Sequence, residues 1–139
     1  MSFDINKLVR KHIADLQPYS SARDEFDPIN RQVVYLEANE NPFENGVNRY
    51  PDPQQRKLKQ IIASQKGVSE KQLLLGNGSD EVLDLIFRAF CVPNKDEIMI
   101  MPPTYGMYKV IANINCITLR EVYLDIDFQL VIKNIFNQI

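Results

Sequence analysis

An α/β layered fold, with helices covering both faces of a largely parallel sheet, is what this sequence predicts. Three observations carry that expectation. Short apolar or β-branched runs alternate with amphipathic stretches, a Gly76-Asn77-Gly78-Ser79 turn joins one such run to a strongly apolar helix, and the same order then repeats. Alternation of this kind needs crossover helices, which must pack on the sheet faces. At 139 residues the chain can bury one ordinary core, so a single compact unit is the default.

Taken from the amino terminus, Ile5, Leu8, Val9, Ile13 and Leu16 have helical spacing and Pro18 closes the stretch, which predicts a short amphipathic arm over 5–16. Gln32 to Glu37 (QVVYLE) is β-branched and aromatic enough for a strand, after which Ala38-Asn39-Glu40-Asn41-Pro42 and Asn45-Gly46 signal loop. Asp52 followed by Pro53 is a helix-start pair, Leu58, Ile61 and Ile62 share a face, and Gly67 can close the helix, which places it over 53–66.

Leu73-Leu74-Leu75 reads as a short buried strand leading through the glycine turn into a helix over 80–91. A strand over 97–101 (EIMIM), the loop Pro102-Pro103-Thr104, a helix over 105–113 and a strand over 116–123 follow. Asp127 is expected to cap a last helix in which Phe128, Val131, Ile132, Ile135, Phe136 and Ile139 share a face. In an alternating fold that helix should return the chain to the sheet, so the polypeptide is expected to be a fragment of a longer one.

The formal charge of −2 is spread along the chain. No block of about five like charges sets up a footprint for nucleic acid or anionic lipid. No run approaches the roughly 18 apolar residues of a membrane span, and Met1-Ser2-Phe3-Asp4 does not open a signal segment, so a cytoplasmic protein is expected. Cys91 and Cys116 lie in apolar surroundings without CxxC spacing, and His12 is the one available imidazole, so both read as buried reduced thiols and no metal is expected.

The strongest chemical signal is Gly76-Asn77-Gly78-Ser79-Asp80-Glu81. Two glycines let the backbone turn tightly and approach a ligand, and Ser79 and Asp80 open a helix whose unpaired amides suit a phosphate. The alternative is a plain strand-to-helix turn in which Ser79 or Asp80 caps the helix. Asp80 and Glu81 would repel an anion unless their carboxylates point away from it. The element lacks the lysine of a Walker A loop and breaks the dinucleotide fingerprint GxGxxG at its last position, which excludes both nucleotide motifs.

Pro102-Pro103-Thr104-Tyr105-Gly106-Met107-Tyr108 follows the next strand, so in a parallel sheet it emerges at the same carboxyl edge as the glycine turn. Tyr105 offers a flat face for a heteroaromatic ring. Equally, Tyr105 and Tyr108 could pack on an amphipathic helix, Tyr50 between Arg49 and Pro51 could be a surface tyrosine, and Asn39 or Asn41 could be turn formers bonded to their own backbone.

Ala38-Asn39-Glu40-Asn41-Pro42, Arg49-Tyr50-Pro51, Gly76 to Glu81 and Pro103-Thr104-Tyr105-Gly106-Met107-Tyr108 occur in the order and spacing that resemble the histidinol-phosphate aminotransferase family, fold-type I pyridoxal 5'-phosphate enzymes. The similarity runs from about Leu16-Gln17-Pro18-Tyr19 to the end of the chain and covers the amino-terminal part of much longer proteins. It implies a three-layer α/β/α transferase domain, incomplete here: residues 1–52 as arm and active-site entrance segment, residues 53–139 as the first part of the cofactor-binding large domain. It implies that Gly78, Ser79 and Asp80 bind the cofactor phosphate and that Tyr105 stacks on the pyridine ring. Tyr50 would reach the cofactor phosphate of a partner subunit, and Tyr19 and Asn39 would border the substrate entrance, which together imply a homodimer. The substrates implied are small molecules: a phosphorylated imidazole amino alcohol, or its ketone, and glutamate.

The resemblance also implies what to look for elsewhere. The Schiff-base lysine, the aspartate on the pyridine nitrogen and the substrate-binding arginines fall beyond Ile139 in the family, and none of Lys7, Lys11, Lys57, Lys59, Lys66, Lys71, Lys95, Lys109 or Lys133 lies in a comparable setting. The chain by itself is therefore expected to be inactive. Two alternatives stand beside this expectation: a non-catalytic phosphate-binding or interaction module, and an aminotransferase of the same fold with another amino acid substrate.

Overall fold

A computed structural model describes residues 4–20, 34–36 and 38–139. In chain order its elements are a 3-10 turn Ile5–Lys7, α1 (Lys11–Ala14), α2 (Arg56–Lys66), a 3-10 turn Glu70–Gln72, α3 (Ser79–Phe90), β1 (Glu97–Ile100), α4 (Met107–Ile114), β2 (Thr118–Glu121) and α5 (Ile132–Phe136). They form two compact units instead of the single one expected from length: residues 1–16 with 76–139, and residues 17–75.

In the first unit β1 and β2 pair in parallel, from Glu97 opposite Thr118 to Ile100 opposite Glu121, with α4 as the crossover between them. A parallel pair joined by a crossover helix is the part of the predicted α/β arrangement that the described residues contain. Phe87 of α3, Ile111 and Ala112 of α4, and Ile117 just before β2 make the buried cluster, and Leu83, Ile98, Met107 and Leu119 pack around it. Burying an aliphatic or aromatic side chain of this size contributes about 1.5–3 kcal/mol.

Polar bonds fix how these apolar faces meet. Asn115 Nδ2 donates to Asp84 Oδ1 at 2.7 Å and to the Ile111 carbonyl at 3.0 Å, while Asp84 Oδ2 pairs with Arg88 Nε at 2.7 Å. The end of α4 is thereby tied to the middle of α3. Asp96 links the exit of α3 to the start of the sheet: its Oδ2 accepts the Val92 amide at 2.7 Å and its carbonyl accepts the Thr118 amide at 3.4 Å.

The arm is broken where the spacing predicts one helix. Arg10 stands between the 3-10 turn and α1 in an extended conformation, its amide donating to the Ala89 carbonyl at 3.0 Å and its Nη1 to the Arg88 carbonyl at 2.8 Å. These are carbonyls at the end of α3, which lack helical partners of their own. A guanidinium there also opposes the negative end of the helix dipole. Docking on α3 thus wins over continuing the arm helix.

Other expectations are corrected by local turn chemistry. Asp125, not Asp127, organises the last segment: its Oδ1 accepts the amides of Asp127 (2.9 Å) and Gln129 (2.8 Å), and Phe128 takes a φ of +58° and lies exposed. A carboxylate bonded to its own backbone competes with helix formation, so only Ile132–Phe136 of the apolar stripe is helical. Cys116 is exposed, because it adopts a φ of +54° in the turn that sends Ile117 back into the core. Cys91 is half-buried, and burial, with help from the Asp96 carboxylate, pushes its thiol up against the opposing pull of Arg10.

In the second unit the Asp52 carboxylate accepts the amides of Gln54 and Arg56, each at 2.9 Å, and pairs with Arg56 Nη1 at 2.8 Å, so the helix begins at Arg56, three residues after Pro53. Gly67 closes it with a φ of +66°, as the sequence predicts. Ser69 and Gln72 then form a reciprocal capping box around the following 3-10 turn. Leu73-Leu74-Leu75 is not a strand, since no described residue pairs with it, and Leu74 is exposed. Of the strand expected over 32–37, Gln32, Val33 and Glu37 lie outside the described residues, and Val34–Leu36 carry no strand.

Candidate functional site

The sequence-predicted residues fall into two groups, one in each unit. In the first unit the chain turns at Gly76, whose carbonyl accepts the Gly78 amide at 3.0 Å, and enters α3 at Ser79. Gly78 precedes the helix with φ +84° and ψ 170°, a region that only glycine enters without strain. Nothing lies within 4 Å of where a Cβ at Gly78 would stand. Gly76 is the opposite case: a Cβ there would meet Glu81 Oε2 at 2.8 Å and Val82 Cγ2 at 2.9 Å.

Gly78 makes no side-chain cap, and the first amides of an α-helix have no partner inside it. The amides of Ser79 and Asp80 therefore stand at the positive end of the α3 dipole. The two acidic side chains beside them are both engaged elsewhere. Glu81 Oε2 turns back to accept the Asn77 amide in a short hydrogen bond, and the Asp80 carboxylate accepts from Tyr105. Neither Ser79 nor Asp80 caps the helix with its side chain, which disfavours the plain capping reading of this turn.

Tyr105 precedes α4, whose amino-terminal flank is Gly106, so the helix starts two residues later than the sequence predicts. Its hydroxyl donates to Asp80 Oδ1 at 3.0 Å and lies 3.3 Å from Oδ2. Its ring meets that of Tyr108 edge to face, with centroids 5.9 Å apart and planes at 90°. The carboxylate holds the phenol above the ordinary tyrosine range, since ionisation would break the bond and set two negative charges together, and slight desolvation adds to this. Tyr105 nonetheless keeps half its surface exposed.

In the second unit the two loop motifs are drawn together by Glu40, whose side chain is only 3% exposed. Its Oε1 accepts the Tyr50 amide at 2.7 Å and its Oε2 pairs with Arg49 Nη1 at 2.9 Å. Tyr50 OH lies 3.5 Å from the Asn39 carbonyl, and the Arg49 guanidinium stands 5.8 Å from the centre of the Tyr35 ring. Asn48, also buried, donates to the Asn41 carbonyl (3.2 Å) and to Glu44 Oε1 (3.0 Å). Asn41 is a turn former of the expected kind, its Oδ1 accepting the Phe43 amide at 3.0 Å.

Tyr50 and Asn39 therefore share one closed loop, whereas Tyr19 is almost fully exposed and joins neither group. Glu40 and Asn48 escape sequence reasoning as site residues. The signal for Glu40 was its place inside the Asn39–Pro42 motif; for Asn48 there was none.

The donor set at α3 fits an anionic phosphoester: first-turn amides, open space before Gly78, and both neighbouring carboxylates drawn onto other partners. Among the described residues no group of three His, Cys, Asp or Glu side chains could hold a metal ion, and no helix is long and apolar enough to cross a membrane.

Residues 30–139 match the family described as "Aminotransferase class I and II". Over 99% of its length the chain is 59% identical to a protein named histidinol-phosphate aminotransferase from Flavobacterium psychrophilum and 56% identical to one of that name from Flavobacterium johnsoniae, covering 40% of each. It is 60% identical, again over 99% of its length, to another of that name from Christiangramia forsetii, covering 39% of it. The chain thus spans about two fifths of the length of the curated relatives it matches.

Proposed function

The chain belongs to the aminotransferase class I and II family, and from that premise we propose that it forms the amino-terminal part of a pyridoxal 5'-phosphate aminotransferase. The enzyme transfers an amino group from glutamate to imidazole acetol phosphate, giving histidinol phosphate and 2-oxoglutarate, in cytoplasmic histidine biosynthesis, and the same exchange runs in reverse. The names of relatives at 56 to 60% identity support the substrate. In the whole protein, residues 1–52 make the arm and entrance segment and residues 53–139 the first part of a three-layer α/β/α cofactor domain.

When bound, the cofactor supplies an electron sink for the carbon that carries the amino group. The amides of Ser79 and Asp80 hold its phosphate with backbone donors and the helix dipole, which need no cation, while Gly78, whose own amide is bonded to the Gly76 carbonyl, leaves the space in front of them open. Tyr105 lays its ring against the pyridine face, and Asp80 fixes the edge of that ring through the hydroxyl. Tyr50 contributes to the phosphate site of the second subunit of a homodimer, and Asn39 and Tyr19 border the path of the substrate. The covalent lysine and the substrate-binding arginines belong to the remaining three fifths of the relatives' length, so this segment alone does not turn over substrate.

The observation that carries the reading is the Tyr105–Asp80 hydrogen bond, which joins the aromatic ring to the helix start that offers the phosphate donors. The test pairs the 139-residue chain with the full gene product, each given pyridoxal 5'-phosphate, histidinol phosphate and 2-oxoglutarate. Glutamate is expected from the full product alone. Turnover by the short chain overturns the division of labour, and a full product that ignores histidinol phosphate but transaminates another amino acid overturns the substrate.

A further inference from the structure

We propose that Glu40 is a positioning residue for Tyr50, acting through the backbone of the 39–50 loop without touching cofactor or substrate itself. The inference rests on the reading of Tyr50 as a phosphate contact and names what holds that tyrosine in place. A carboxylate whose side chain is 3% exposed is costly to bury unless both oxygens are satisfied. Here one oxygen accepts the Tyr50 amide at 2.7 Å and the other pairs with the Arg49 guanidinium at 2.9 Å. Two successive residues of the Arg49-Tyr50-Pro51 motif are thus gripped by one side chain from the Asn39–Pro42 motif.

The bond to the Tyr50 amide matters most for direction. It fixes the peptide plane before Tyr50, and Pro51 restricts the backbone of Tyr50 from the other side. The ring consequently leaves the loop along one course, with its hydroxyl 3.5 Å from the Asn39 carbonyl. Asn48 closes the same loop independently through Asn41 and Glu44, so the loop has a second internal support when Glu40 is altered.

The experiment is a mutant cycle in the full-length protein, reading the dissociation constant of pyridoxal 5'-phosphate by absorbance titration of the apo form. Glu40→Ala and Tyr50→Ala are each expected to weaken the cofactor about tenfold, and the double variant to match Tyr50→Ala within about twofold, because a residue acting through Tyr50 has nothing left to act on. Glu40→Gln, which keeps an acceptor for the Tyr50 amide but not the ion pair, should recover most of the affinity, and Glu40→Asp, which keeps the charge but shortens the reach to the Tyr50 amide, replaces Glu40→Ala in the cycle should that variant not fold. Additive losses, or full affinity in a folded Glu40→Ala protein whose Tyr50→Ala counterpart is weakened, overturn the role of Glu40 alone. An unchanged affinity in Tyr50→Ala overturns the phosphate reading of Tyr50 and the Glu40 proposal with it.

Discussion

The hydroxyl of Tyr105 donates to the carboxylate of Asp80, 3.0 Å from Oδ1, joining the residue that precedes α4 to the second residue of α3. The phenol can donate in this bond only while it is protonated. Tyr105 therefore loses its proton above the ordinary tyrosine value of 10.0. Because the folded value is raised, the stabilisation is fully present below the unfolded value and fades as pH climbs through the folded one. Alkaline titration of the tyrosine absorbance, with Tyr105→Phe identifying the component, should show Asp80→Asn moving that component down. An unmoved component sinks the assignment.

The two glycines of the turn should fail differently. Gly78→Ala forces a φ of +84° on a residue with a Cβ and is expected to lower unfolding stability by about 1–3 kcal/mol. Gly76→Ala drives a methyl against the Glu81 carboxylate, which must let go of the Asn77 amide and can then face the phosphate donors. It should cost more in cofactor affinity than in stability. Urea unfolding alongside cofactor titration of the full-length protein separates the two, and equal patterns for both variants contradict this account.

Removing the Arg10 side chain should release the arm. Arg10→Ala keeps the backbone bond to Ala89 but loses the guanidinium bond to the Arg88 carbonyl, a loss of about 1–3 kcal/mol for a charged donor. Hydrogen exchange of amides in residues 4–16 should quicken severalfold while those of α4 stay protected. Unchanged exchange in the arm would show that the guanidinium contributes nothing.

If Tyr50 serves the phosphate site of a second subunit, two damaged full-length proteins should repair each other. In a mixed dimer of Tyr50→Ala with Tyr105→Ala, one site receives both intact residues and the other neither. Random reassortment should restore roughly a quarter of wild-type activity, since half the dimers are mixed and each has one good site of two. No gain on mixing excludes the shared site.

Much of the first unit could be read from residue pattern. Glycine punctuation marked the start of α3 to within one residue, and β1, α4 and β2 followed in the expected order because apolar runs of fixed period must bury one face. Errors arose where a polar side chain bonded to backbone nearby or far away. Asp125 pre-empted the expected cap at Asp127, and Arg10 broke the arm by reaching the end of α3. Both are matters of partner choice, which periodicity does not encode. The same limit hid Glu40: the motif containing it was visible, but its grip on Arg49 and Tyr50 depends on a loop closure that spacing alone does not specify.

Arg10 and the carbonyl it holds are 78 positions apart. On a ribosome adding about 5–20 residues per second, Arg10 waits roughly 4 to 16 s before its docking site has been synthesised. Through that interval the Arg10 amide and guanidinium lack the α3 carbonyls that accept from them. The arm is thus made before the surface on which it docks, and it can settle only after α3 has been completed.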